Sequence, residues 1–192
     1  MLFIEHGIKT LADLRRTPTS HGVAIDVRDY DGSLRIAHEP FESGEVLMEF
    51  LSQFRHAQLL INVHGSGLIP PTRELLHRFN ITKYLFHNLT GAESVQMARL
   101  GIAQFAARFS DYEPLESAMI LAGKAKWVCV DCFDRFPLNA KSYAKLQSAF
   151  QICLVSPEIN GGAGDEIGEI RREIEKMPPD AIWTARREDW IR

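Results

Sequence analysis

Residues 21–41 read HGVAIDVRDYDGSLRIAHEPF, and their reading decides the fold. Val23, Ile25 and Val27 alternate with Ala24, Asp26 and Arg28, the period of two that belongs to a strand. Asp31-Gly32 is a hairpin signal, because both residue types accept a positive φ. Leu34 and Ile36 then resume the alternation toward His38. The stretch therefore predicts two strands folded on each other, with Asp26, Arg28, Asp29 and His38 gathered at one edge. Unpaired buried charge is expensive, so such a gathering more often marks a site than a core.

Outward from this hairpin the chain repeats one unit: a short apolar run, a polar turn, a helical stretch. Strand-type runs cover 2–5, 23–27, 59–63, 84–87, 106–109, 127–131, 152–155 and 181–184. Helix-type patterns fall between them at 10–16, 43–54, 71–79, 92–100, 113–122, 142–150 and 166–176. About eight such units of about 25 residues predict an α/β fold, a compact (β/α)8 TIM barrel, with residues 1–192 as a single domain. An open doubly wound sheet is the alternative.

Composition narrows the function classes. The chain has 192 residues, 45% of them hydrophobic, with 22 basic and 25 acidic side chains and a formal net charge of −3. Nucleic-acid binding and anionic-membrane binding call for a basic excess, so neither is expected. No apolar run approaches the roughly 20 residues of a transmembrane helix. The opening MLFIEHGIKT is too short and too acidic for a secretory signal, so a cytoplasmic location is expected. Cys129, Cys132 and Cys153 are an odd, small set that suits a reducing compartment. Cys129 and Cys132 have CxxC spacing within a strand-type run, where residues three apart face opposite sides. Buried structural cysteines are therefore expected rather than a zinc or redox pair.

In a (β/α)8 barrel the site lies at the C-terminal ends of the strands. Read in order, those ends give His6, Asp26 with Arg28, His38 on the hairpin, His64, Asn88, Arg108 with Ser110, Asp131, Ser156 with Glu158, and Thr184 with Arg186. Polar residues closing nearly every apolar strand predict a functional cleft. His6 and His38 each end a strand-type run and form a candidate general acid and base, in competition with plain hydrogen-bonding roles. His21, His56, His77 and His87 read as ordinary surface or core residues. Arg28 and Arg108 suit a phosphate or carboxylate by bidentate contact, or else ion pairs with Asp26, Asp29 or Asp131. The loop at 160–164 precedes Asp165 and Glu166, so it reads as an ordinary loop before a helix rather than a phosphate cradle.

These residues resemble the glycerophosphodiester phosphodiesterase-like branch of the phosphatidylinositol-specific phospholipase C superfamily, and a small bacterial subgroup of it. The likeness is carried by His6, Ile25-Asp26-Val27, the Asp31-Gly32 turn and Ala37-His38-Glu39-Pro40, and by the later runs ARFSDYEP, KWVCVDCF and ICLVSPEI. It implies a TIM-barrel phosphoric diester hydrolase acting on a small phosphodiester. It also implies His6 and His38 as the catalytic pair, and Asp26 as a ligand to a divalent cation, magnesium or calcium. Arg28, Arg108, His64, Asp131 and Glu158 are the candidates for holding substrate.

The chain departs from the family pattern in three places. Gly7 stands where an arginine is expected, Ala24 where a glutamate is expected, and His64 and Ser66 where a further carboxylate is expected. Asp26 alone does not make a site for an ion that wants several oxygens; Glu39, Asp131 and Glu158 are the available replacements. Three readings stay open. One is a phosphodiesterase in which Arg28 or Arg108 stands in for the cation. The second is a catalytically inactive barrel binding a phosphorylated small molecule or a protein partner. The third is a different barrel enzyme built on His64 and Asp131.

Overall fold

The computed structural model describes residues 1–162 and 164–191. Strands and helices alternate along the chain, and ten strands form one mixed sheet. The contacts divide the chain into two compact units: Ile4–Leu89, and Met1–Phe3 with Thr90–Arg192.

The first unit contains β1 (Leu2–Glu5, from Ile4 on), α1 (Leu11–Arg16), β2 (Gly22–Tyr30), β3 (Ser33–Ile36), β4 (Glu45–Val46), α2 (Leu47–Gln53), β5 (Gln58–Val63), α3 (Ile69–Arg78) and β6 (Tyr84–His87). β2 is parallel to β1 at Ile4↔Gly22 and Glu5↔Val23, and parallel to β5 over Gly22↔Gln58 to Val27↔Val63. Its far half pairs antiparallel with β3, Val27↔Ile36 through Tyr30↔Ser33. Residues 22, 23 and 27 each face β5 on one edge, so β1 and β3 occupy successive stretches of the other. Asp26 sits just where β2 leaves β1 and meets β3. The hairpin turn has φ 48° at Asp31 and 71° at Gly32, the positive pair that matches strand twist.

Burial follows the parallel-sheet rule rather than strict alternation. Val23, Ala24, Ile25 and Val27 are all buried, as is every residue of β5, because both faces of such a sheet are covered. The helix expected over 43–54 starts later, at Leu47. Before it the chain runs as β4 against β3, Arg35↔Val46 and Ile36↔Glu45. Gly44, at φ 46°, makes that return possible: a Cβ there would lie 2.2 Å from the Ile36 carbonyl oxygen.

The second unit contains α4 (Gly91–Arg99), β7 (Ala106–Ser110), α5 (Leu115–Met119), β8 (Trp127–Asp131), α6 (Ala140–Gln147), β9 (Gln151–Val155), a 3₁₀ turn (Pro157–Asn160), α7 (Ile167–Ile174), β10 (Ala181–Thr184) and α8 (Arg187–Ile191). β7, β8, β9 and β10 are parallel neighbours in that order. Capping boxes start α1 at Thr10 and Asp13, α4 at Thr90 and Glu93, and α6 at Asn139 and Ser142. α5 is shorter than the expected 113–122, because the Glu113 N–H turns back to Ser110 Oγ at 3.0 Å and Pro114 caps the helix. The 3₁₀ turn and α8 were not expected; each is about a single turn, too short to show a period. Of the 160–164 loop, Ala163 lies outside the described residues.

Cys129, Cys132 and Cys153 are all free and buried. Cys129 faces Cys153 across β8 and β9, and that contact together with burial raises its thiol pKa well above the ordinary value. Such thiols are unreactive packing groups. Among the described residues no helix is long and apolar enough to cross a membrane.

Candidate active site

Strand register builds the site in the first unit. Asp26 on β2 is in register with Asn62 on β5, and Asn62 with His87 on β6. In-register neighbours share a face, so the three side chains form a polar row across three buried strands. Asn62 Nδ2 donates to Asp26 Oδ1 at 3.0 Å, and His87 Nδ1 lies 2.9 Å from Asn62 Oδ1.

Two further histidines converge on the same carboxylate. His64 follows β5, its N–H bonded to the Val27 carbonyl, and places Nε2 2.8 Å from Asp26 Oδ1. His38 follows β3 and places Nδ1 3.0 Å from Asp26 Oδ2. The Asp26 side chain is 12% exposed, that of His64 23% and that of His38 49%, so the acid is enclosed and the His38 ring is open to solvent. Burial acts to raise the Asp26 pKa, but the donors on His64, His38 and Asn62 outweigh it and hold the carboxyl well below its ordinary range. An ionised carboxylate only accepts, so both rings donate to it. The ring nitrogens not bonded to Asp26 are Nε2 of His38 and Nδ1 of His64.

Arg28 belongs to the same cluster in a different role from the one its type suggests. Its Nε and Nη2 both donate to the His38 carbonyl, at 3.1 and 2.9 Å. Two of its nitrogens thus fix the His38 backbone. Glu39 Oε1 lies 3.9 Å from His38 Nε2. His6 ends the run from β1, and the residue after it, Gly7, has φ 75°, a conformation that an arginine there would adopt only with strain.

The oxygens around Asp26 do not fit a hard divalent cation. Oδ2 accepts from His38, Oδ1 accepts from both His64 and Asn62, and Ala24 brings no carboxylate two residues earlier. Calcium and magnesium take six or more oxygens in all. Among the described residues, no group of three or more His, Cys, Asp and Glu side chains is placed to hold a metal ion.

The remaining candidates lie in the second unit. Asp131, which ends β8, is 3% exposed; burial raises its pKa, against the pull of Arg108 and a bond from Asn160. Arg108 Nε is 3.8 Å from Asp131 Oδ2, and its Nη2 is 3.4 Å from Glu113. Asn160 Nδ2 donates to Asp131 Oδ1 at 3.2 Å. Arg108 thus lies between two carboxylates, Glu113 and Asp131. Glu158 accepts from the Ser156 hydroxyl, from Thr184 Oγ1 at 2.6 Å and from the Ala185 N–H at 3.0 Å. Its carboxylate ties the end of β9 to the end of β10.

Asn62 and His87 join the site although neither is among the strand-end candidates of the sequence. The available signal was Asn62 itself, the one polar residue inside the buried run LLINV.

No family model matches the chain, and no curated protein sequence matches it. A crystal structure of glycerophosphodiester phosphodiesterase from Agrobacterium tumefaciens str. C58 does, with a TM-score of 0.68 over 98% of this chain and 97% of that one. The likeness is one of fold. Sequence identity is 13%.

Proposed function

We propose that the chain is a phosphodiesterase of the glycerophosphodiester phosphodiesterase-like type, hydrolysing a small phosphodiester by histidine acid–base catalysis. The observation that carries this reading is the Asp26–His38 bond at 3.0 Å, on a ring that is half exposed. A carboxylate behind an imidazole fixes its tautomer and steadies the imidazolium that forms. The fold likeness to the Agrobacterium enzyme supplies the substrate class.

In the reaction, water adds to phosphorus, a P–O ester bond breaks and an alcohol leaves. One imidazole takes the proton of water and another gives its proton to the departing oxygen. His38 is one of the two; the resemblance offers His6 as the other. The oxygen donors at Asp26 do not suit a cation, so phosphate charge falls to protein groups. Three free cysteines fit a reducing, cytoplasmic setting.

A second reading is a barrel that binds a phosphorylated ligand without turnover. It is favoured by Arg28, whose guanidinium holds the His38 carbonyl, and by Gly7 in place of an arginine. A panel of glycerophosphodiesters and a chromogenic diester, assayed with and without chelator, separates the two. Hydrolysis in chelator supports the enzyme; saturable phosphate binding with no hydrolysis supports the binder.

A further inference from the structure

We infer that Asp26 is a positioning carboxylate shared by two histidines, and that His64 is the imidazole that works with His38. The phosphodiester substrate in this inference rests on the function proposed above; the ring geometry does not.

The two oxygens of one carboxylate each hold a different ring. His38 Nδ1 is 3.0 Å from Oδ2 and His64 Nε2 is 2.8 Å from Oδ1. The two rings bind through opposite nitrogens, so opposite tautomers are enforced. Asn62 completes the arrangement by donating to Oδ1 at 3.0 Å, its own carbonyl oxygen taken by His87 at 2.9 Å, which fixes which way the amide points. The backbone reinforces it: the Ala37 N–H donates to the Asp26 carbonyl and the His64 N–H to the Val27 carbonyl, each at 3.0 Å. The remaining charged groups of the cluster are Arg28, on the His38 carbonyl, and Glu39, 3.9 Å from His38 Nε2.

This geometry assigns the balance of protons. One of the two rings begins as imidazole and accepts the proton of the attacking water at the nitrogen not bonded to Asp26. The other begins as imidazolium and delivers its proton to the leaving oxygen. The pair ends with its protonation exchanged and returns through solvent. Asp26 touches neither water nor substrate; it acts through the rings it holds.

The test uses the full chain labelled with 15N-histidine, with His6→Ala, His38→Ala, His64→Ala and Asp26→Asn variants to assign signals. His38 is expected to carry its proton on Nδ1 and His64 on Nε2, each toward Asp26. Asp26→Asn offers a single acceptor oxygen, so at least one ring is expected to change tautomer. Inorganic phosphate is expected to shift His38 Nε2 and His64 Nδ1. Manganese ions are expected to leave both signals sharp. In the diester assay His64→Ala is expected to lose activity on the order of 10²–10⁴-fold, as His38→Ala does. The same tautomer on both rings, manganese broadening at the pair, or phosphate shifting neither nitrogen overturns the inference. So does full turnover by His64→Ala. If no diester is hydrolysed, the proposed function fails, while the tautomers and the phosphate shifts still decide the role of Asp26 and the pairing.

Discussion

His38 and Asp26 are tied twice: ring Nδ1 lies 3.0 Å from carboxylate Oδ2, and the N–H of Ala37, one residue earlier, donates to the Asp26 carbonyl at 3.0 Å. Ring and backbone are therefore held from the same residue of β2. Arg28, two residues further along, holds the His38 carbonyl from the other side.

Arg28 is accordingly expected to act on kcat. Arg28→Ala should lower kcat roughly tenfold through lost orientation of His38, with KM nearly unchanged. Arg28→Lys should restore little, because an ammonium does not reproduce the two-nitrogen fork. Steady-state kinetics decides the matter: a rise in KM at constant kcat would make Arg28 a phosphate clamp.

Asp26 and Asp131 should give stability opposite slopes with pH. The folded pKa of Asp26 is depressed, so its stabilisation is complete above the unfolded value of about 3.9 and is lost as pH falls through the folded value. The folded pKa of Asp131 is raised by burial, so its favourable contribution is complete below about 3.9 and is lost as pH rises through the folded value. Melting temperatures of Asp26→Asn and Asp131→Asn between about pH 3 and pH 7 check this. Asp26→Asn should lose most at neutral pH, and its deficit should begin to shrink only below about pH 4. Asp131→Asn should gain relative to the parent as pH rises. Parallel curves for both would contradict it.

Gly44 and Gly7 both have positive φ yet should respond differently to alanine. At Gly44 the new Cβ meets a backbone oxygen at 2.2 Å, whereas at Gly7 it meets nothing within 4 Å. Gly7→Ala should cost about 1 kcal/mol of left-handed strain. Gly44→Ala adds a main-chain clash and should cost about 2–4 kcal/mol. Urea unfolding measures both, and equal losses would show that the β3–β4 return does not depend on close approach.

Glu158→Gln should damage stability rather than substrate binding. The carboxylate accepts from Ser156, Thr184 and the Ala185 N–H, and an amide replaces one acceptor oxygen with a donor. A loss of about 1–3 kcal/mol with KM unchanged is expected. A selective rise in KM would restore Glu158 as a substrate contact.

The alternation of strands and helices was legible because β1, β6, β7, β8 and β10 are short, mostly apolar runs ended by a polar residue; 84–87, 127–131 and 181–184 match β6, β8 and β10 residue for residue. The hairpin was legible from Asp31-Gly32. The stretch before α2 was not, because the Ser43–Gly44–Glu45 turn depends on the Ile36 carbonyl, a contact that only folding creates. At the site, Asp26 and His38 were legible as strand-end residues, but their bonding was not. That His38 and His64 both reach Asp26 depends on the registers Val27↔Ile36 and Asp26↔Asn62, which no local pattern encodes.

The account stands on His38 as an acid–base catalyst of phosphodiester hydrolysis. The most direct test is turnover of a glycerophosphodiester by the parent chain and by His38→Ala, both in excess chelator. The account predicts hydrolysis by the parent and a loss on the order of 10²–10⁴-fold in the variant, with the fold intact by circular dichroism. Equal turnover by the two chains, or none by the parent with or without added divalent ions, would contradict it.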